Sequence, residues 1–380
     1  DDKINLNNKV YIVTGSNTGL GYHTAKELVE MGGTVIMACR TLSKANESRL
    51  KILKSLPKIS PSKLIVLQLD LNSFQSVKKF VKLFLELNLP LNCLINNAGL
   101  MTSERYVTDD DPNLESVMTA NHLSHFLLSN LLLPVMNKTS HNNLEKLIEK
   151  KKIILEKEKK LNSNVNTKNK NKNKSNSNSN SNSKKEDKLV NDITSKNKND
   201  DNDDEEETSN ITSEEIDECY GRIVTLTSAL HKIPSKFNFD DIMSVTDYTL
   251  FGTYSQSKLA NVLFTTELQR RIDLTSSSSS SSSPSEIISV ADIDINKYKD
   301  EILVVANCVH PGCVRTEVTR NLNKWLQLGN NLAEPFMVWL QKTPREGCFS
   351  SVHCATSLEP IESNSNSNSR SHSKNITNGR

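Results

Sequence analysis

The chain has 380 residues, 36% hydrophobic and 24% charged, with a formal net charge of +2. A balance this near neutral excludes a nucleic-acid-binding bias, and no stretch approaches the roughly 18–20 apolar residues of a membrane-spanning helix. The seven cysteines (39, 93, 219, 308, 313, 348 and 354) form no Cys-x-x-Cys, which argues for a reducing compartment and against a disulfide framework or structural zinc site.

Lys9 to Val13 is a short apolar run of the buried-strand type. A Gly-rich turn follows, then a helix over Tyr22 to Met31, which Gly32-Gly33 ends. Thr34 to Ala38 reads as a strand, Ser43 to Ser55 as a polar helix, and Leu64 to Leu69 as a third strand. Residues 73–86 carry helical spacing, Leu91 to Ile95 a fourth strand, and 113–136 a long helix. The pattern resumes with a strand at Arg222 to Leu226, a helix over 254–272 and a strand at Ile302 to Asn307. Strands alternating with helices predict an α/β fold, a doubly wound parallel sheet of six strands with helices on both faces.

Three polar segments interrupt this pattern. Residues 138–218 are rich in Asn, Ser, Lys, Asp and Glu and read as a disordered surface insert, although 144–161 has the composition to continue a helix. Residues 275–294 include eight consecutive serines, Ser276 to Ser283, and residues 363–380 form a polar tail. Without them about 260 residues remain, the size of one α/β domain. The chain opens at Asp1 with no secretory signal pattern.

Four motifs carry chemistry. Gly15, Ser16, Asn17, Thr18, Gly19, Leu20 and Gly21 lie between the first strand and the first helix. Glycines there allow a tight turn and let backbone N–H groups approach a pyrophosphate at the helix N-terminus. Arg40 ends the second strand, where an acid would hold the ribose 2′-OH of NAD; its guanidinium suits a 2′-phosphate, so the expected cofactor is NADP (NADPH). Asp70 and Leu71 follow the third strand, and Asn97, Ala98 and Gly99 the fourth, both at carboxyl ends where doubly wound sheets bind ligands. Tyr254 and Lys258 share one helix face, and an ammonium beside a phenol favours the phenolate, which makes Tyr254 a candidate acid/base. Ser228, after the fifth strand, can meet Tyr254 over the sheet edge. Read alone, Tyr-x-x-x-Lys is common by chance.

Taken in order, these motifs resemble the short-chain dehydrogenase/reductase family and its Rossmann fold. Ala38-Cys39-Arg40, Asn121 to Phe126, Ser257 to Asn261 and Val309 to Thr316 resemble the retinol dehydrogenase and WW-domain oxidoreductase branch. The resemblance implies that Tyr254 exchanges a proton with the substrate oxygen and that Lys258 binds the nicotinamide ribose. It implies that Ser228 holds the carbonyl or alcohol, that Asn121 holds a relay water, and that Pro311, Gly312, Val314 and Thr316 line the nicotinamide end. Ser124 stands where the group has Gly, and Thr227 replaces the first of a Ser-Ser pair. The relatives' last edge strand is expected to be missing, since Arg380 ends the chain where it would start.

Trp325, Trp339 and neighbouring Leu, Phe, Met and Val residues make an apolar region that the family uses as a substrate lid, which suits a lipophilic carbonyl or alcohol. The same residues are consistent with ordinary helix packing or with membrane-surface contact. The expected partners are a lipophilic small molecule, a membrane surface and a second copy docked through the two long helices; the expected location is the cytoplasm or the cytosolic face of an internal membrane. A double-bond reductase like the protochlorophyllide reductases, and an idle nucleotide-binding scaffold that works through its insert, remain alternatives.

Overall fold

In the computed structural model, residues 4–175, 209–276, 288–290, 298–314 and 341–356 are described. The first half alternates strictly. Strand β1 (Val10–Thr14) leads through a turn to helix α1 (Gly19–Glu30), and β2 (Thr34–Cys39) to α2 (Leu42–Ser55). Strand β3 (Leu64–Gln68) leads to α3 (Phe74–Glu86), and β4 (Cys93–Asn96) ends at the Asn-Asn-Ala-Gly turn. Later come β6 (Gly221–Leu226), α7 (Leu250–Ser276), β8 (Val304–Val309) and α8 (Pro344–Thr356). The six strands form one parallel sheet, as expected, and their order is β3-β2-β1-β4-β6-β8. The chain therefore reverses its winding between β1 and β4, and ligands of such sheets sit outside the carboxyl ends at that point.

Hydrophobic strands buried on both faces account for the layers. Tyr11, Val13, Val35 and Met37 pack on one side against Ala25, Leu28 and Val29 of α1 and Val352 of α8. Val10, Ile12, Ile36 and Leu94 pack on the other against Phe80 and Phe84 of α3 and Leu128 and Leu132. Helix α8 starts with a capping box: Thr343 Oγ1 accepts from Glu346 N at 3.2 Å, and Glu346 Oε2 accepts from Thr343 N at 2.7 Å.

The helix expected over 113–136 is broken at its start. A short turn, α4 (Ser116–Met118), is capped by the buried Glu115 carboxylate, which accepts from Val117 N and Met118 N, both at 2.7 Å. A π-helical turn, Thr119–Leu123, follows. Helix α5 (Ser124–Ser175) then runs far into the segment expected to be disordered. That expectation is corrected for residues 138–175. Leu144 and Ile148 are buried one turn apart, and Lys151, also buried, pairs with Glu215 at 2.7 Å.

Residues 144–216 with 283–295 cluster as a second compact unit. It contains β5 (Asn210–Ile211), α6 (Ser213–Asp217) and β7 (Ile288–Ser289), with β5 and β7 paired antiparallel. Apolar Ile211 and Ile216 are buried there in an otherwise polar segment, which gives these residues something to fold around. The Ser-rich stretch beyond Ser276, apart from residues 288–290, lies outside the described residues, as do Thr316, Trp325, Trp339 and the tail 363–380.

Candidate active site

The glycine loop folds back on the sheet because two glycines adopt left-handed backbone, Gly15 at φ +64° and Gly19 at φ +55°. No side chain caps the N-terminus of α1 at Thr18. A Cβ built on Gly19 meets nothing within 4 Å, so the loop presents its backbone to open space beside the helix N-terminus. That concavity fits a pyrophosphate. From below, Ser48 Oγ donates to Asn17 O at 2.7 Å, and the buried Ser16 hydroxyl lies 3.4 Å from Cys39 Sγ. Ser16 is thus turned toward the protein interior.

Gly21 has a different task. A Cβ there would lie 2.5 Å from Gly15 O and closer still to Asn97 Nδ2. Gly21→Ala is expected to cost about 1–3 kcal/mol through overpacking and to weaken dinucleotide binding, which a thermal melt with and without NADPH measures.

Asn97 and Ala98 are anchors. Asn97 Nδ2 donates to Thr14 O at 2.7 Å, and the backbone N–H groups of Asn97 and Ala98 both donate to Thr14 Oγ1 at 2.9 Å. Asp70 caps its own turn, accepting from Asn72 N at 2.9 Å. Leu71 O accepts from the buried Ser124 hydroxyl at 2.6 Å, so the Ser that departs from the family pattern ties α5 to the end of β3. Arg40 is exposed at the end of β2.

The catalytic candidates converge at the carboxyl ends of β4 and β6. Ser228 lies near the Tyr254 phenol and acts to lower its pKa, while its Oγ accepts from Leu230 N at 3.3 Å. Tyr254 is buried with Met101 and Val117, and Leu100, Leu230 and Leu250 pack around them. Lys258 Nζ sits 5.7 Å from the Tyr254 ring centroid and donates to Leu226 O at 3.1 Å. Thr227, the other departure, donates to Lys258 O at 3.0 Å and fixes the lysine's backbone. A Cβ on Gly99 would lie 3.4 Å from both Lys258 Nζ and Asn121 Oδ1, so the bare glycine lets these groups close around the turn.

Electrostatics differ from the expectation that Lys258 lowers the Tyr254 pKa. Burial pushes the phenol up to about 12, against the opposing effect of Ser228. Burial also pushes Lys258 down to about 8, opposed by nearby Cys308. The ammonium lies over the ring and spends its hydrogen bond on Leu226 O, so desolvation dominates both groups.

Asn121 is placed as a clamp. Its Oδ1 accepts from Leu100 N at 2.8 Å, while its Nδ2 donates to Leu100 O and to Ser257 Oγ, both at 3.0 Å. The side-chain oxygen and nitrogen are both engaged by protein partners. Gly312, at φ +90°, turns the chain after Pro311, and Val314 pairs with Lys342 just before α8. Gly347 of α8 faces Val314 and Leu20, where a Cβ would clash with both. Sequence reasoning missed the anchoring roles of Thr14, Ser257 and Thr227, although each adjoins a motif residue.

A family model described as short chain dehydrogenase matches residues 9–143. Human retinol dehydrogenase 14 is 29% identical over 367 residues, covering 93% of this chain and 76% of its own length. Human polyprenol dehydrogenase is 29% identical over 352 residues, covering 92% and 73%. A chloroplastic short-chain dehydrogenase, TIC 32 B of Brassica napus, is 42% identical over 132 residues, covering 35% and 40%. Among solved structures, L-sorbose reductase from Gluconobacter frateurii, complexed with NADPH and L-sorbose, superposes with TM-score 0.52 at 13% identity, covering 94% of this chain and 92% of that one. The NADPH-dependent 3-quinuclidinone reductase of Rhodotorula rubra superposes with TM-score 0.50 at 15% identity, covering 93% and 87%. These two likenesses show the fold. Together with the motifs and their geometry, these comparisons make the chain similar over most of its length to short-chain dehydrogenases, retinol dehydrogenases among them, and mark it as an oxidoreductase.

Proposed function

We propose that the chain reduces lipophilic aldehydes or ketones with NADPH, and oxidises the corresponding alcohols in reverse. The observation that carries this reading is the buried Tyr254 phenol, with Ser228 near it and Lys258 Nζ 5.7 Å from its ring, set among Met101, Val117 and Leu230. A nicotinamide bound on the glycine loop would supply the hydride. The chain's own residues do the rest. Ser228 and Tyr254 hold the substrate oxygen, and Tyr254 gives up or takes the proton there. The apolar wall excludes water and favours a greasy substrate, in keeping with relatives named for retinol and polyprenol. An encounter at the cytosolic surface of a membrane suits such substrates; among the described residues no helix is long and apolar enough to cross one.

The NADP preference is supported by Arg40, whose guanidinium makes no hydrogen bond or ion pair with another described residue. A charge-assisted hydrogen bond is worth roughly 1.5–3 kcal/mol, about 10- to 100-fold in affinity. The test is NADPH against NADH oxidation over a panel of lipophilic aldehydes and ketones. NADPH should win by at least about tenfold, and Arg40→Asp should reverse the preference. Equal use of both cofactors by the wild type would refute the NADP assignment. Tight NADPH binding without turnover across the panel would favour the idle scaffold.

A further inference from the structure

A buried imidazole lies between the nucleotide side of the sheet and the catalytic helix, and the chemistry above leaves it unused. His125 stands at the second position of α5, only 1% exposed. Its Nε2 is 2.9 Å from Thr14 Oγ1, and its Nδ1 is 3.1 Å from Asn121 O. Counting donors and acceptors fixes the tautomer. A hydroxyl has two lone pairs and one proton. Both lone pairs of Thr14 Oγ1 are taken by Asn97 N and Ala98 N. The remaining proton has two acceptors in range, His125 Nε2 at 2.9 Å and Ile95 O at 3.4 Å. The nearer one is the imidazole. His125 Nε2 therefore accepts, and Nδ1 carries the ring proton and donates to Asn121 O. Burial first, then Lys258 and His122 nearby, hold the pKa down to about 3 against the Asn121 hydrogen bond, so the ring stays neutral.

The two atoms this ring joins lead to different parts of the site. Thr14 begins the glycine loop and holds the Asn97-Ala98 turn. Asn121 sits in the π turn, clamps Leu100, and reaches Ser257 between Tyr254 and Lys258. We propose that His125 is a positioning residue that couples the nucleotide-binding loop to the Tyr254–Lys258 helix, with one ring nitrogen serving each side. The proposal rests on reading the site as that of a nicotinamide-dependent reductase.

Three variants separate the two nitrogens. His125→Phe removes both contacts and keeps a planar ring. His125→Asn keeps a donor for the carbonyl one turn back, a reach that this helix already shows where Asn130 Nδ2 donates to Phe126 O at 2.7 Å. His125→Gln extends its amide toward Thr14. The readouts are NADPH Kd from cofactor fluorescence, kcat and KM with a lipophilic aldehyde, and the thermal midpoint of the full chain. Misplacement of a reacting group by a fraction of an ångström is worth roughly tenfold or more. His125→Phe should lose about that much in both Kd and kcat. His125→Asn should lose cofactor affinity with kcat near wild type, and His125→Gln should show the opposite split. Losses in Asn and Gln that are equal and follow the thermal midpoint would mean a merely structural role and overturn the proposal, as would three unaltered variants. A wild type that binds neither NADPH nor NADH removes the reading of the site and this proposal with it. A wild type that turns over while the variants fail to split overturns the proposal alone.

Discussion

Tyr254→Phe should lose about 10³-fold in kcat for carbonyl reduction, within the range for a positioned acid or base, while keeping its fold. Only the phenol oxygen is removed, and the ring still fills its place against Met101 and Val117. The pH profile of kcat/KM carries a second signature. With its pKa about 12, Tyr254 is protonated, and so able to donate, across the working range. Lys258, at about 8, loses its charge first as pH rises. Reduction should therefore be flat below about pH 8 and fall above it through loss of the ammonium, whereas alcohol oxidation should not fall in step. Turnover of Tyr254→Phe within threefold of wild type would remove Tyr254 from the chemistry.

Lys258→Met should move activity and stability in opposite directions. The ordinary lysine pKa of 10.5 falls to about 8 in the folded protein. Between those values the unfolded chain binds more protons, so stability rises with pH across that window. Below pH 8 the buried ammonium carries its whole penalty, about 3 kcal/mol at 1.36 kcal/mol per pKa unit. Methionine fills a similar volume without charge, and Leu226 O keeps a donor in Asn261 Nδ2 at 3.3 Å. The variant should lose at least about 10²-fold in kcat yet melt several degrees higher at pH 7, with the gain vanishing toward pH 10. A lower melting point at pH 7 would show that the lysine is held at no net cost.

Much of this was legible from local spacing. Short apolar runs marked all six strands of the sheet, because strands buried on both faces have little polar alternation to blur them. Tyr254 and Lys258 were legible because one turn of helix brings them together whatever surrounds it. The charge state of that pair was not, since it depends on how deeply the fold buries both groups. The His125 bridge was also hidden: its partners are Asn121, four residues away, and Thr14, 111 residues away. The second unit was missed for another reason. Its Asn- and Lys-rich composition outweighed a helical stripe of three residues, Leu144, Ile148 and Lys151, of which one is charged. The π turn at 119–123 left no periodic trace, because one widened turn barely shifts the phase of apolar residues.

The sheet order sets a schedule for synthesis. Strand β4 lies at the centre and pairs on one side with β1, which is made before it. On its other side it pairs with β6, in the register Ile95↔Val224, nearly 130 residues later. At about 5–20 residues per second, a ribosome leaves that apolar edge without its neighbour for roughly 6–25 s. During this interval Leu94 and Ile95, which end up fully buried, border an open row of backbone donors and acceptors, the kind of edge that recruits other chains. The long segment between the two halves of the sheet thus costs little once folding is complete, but it prolongs the time for which the nascent chain carries an unpaired strand edge.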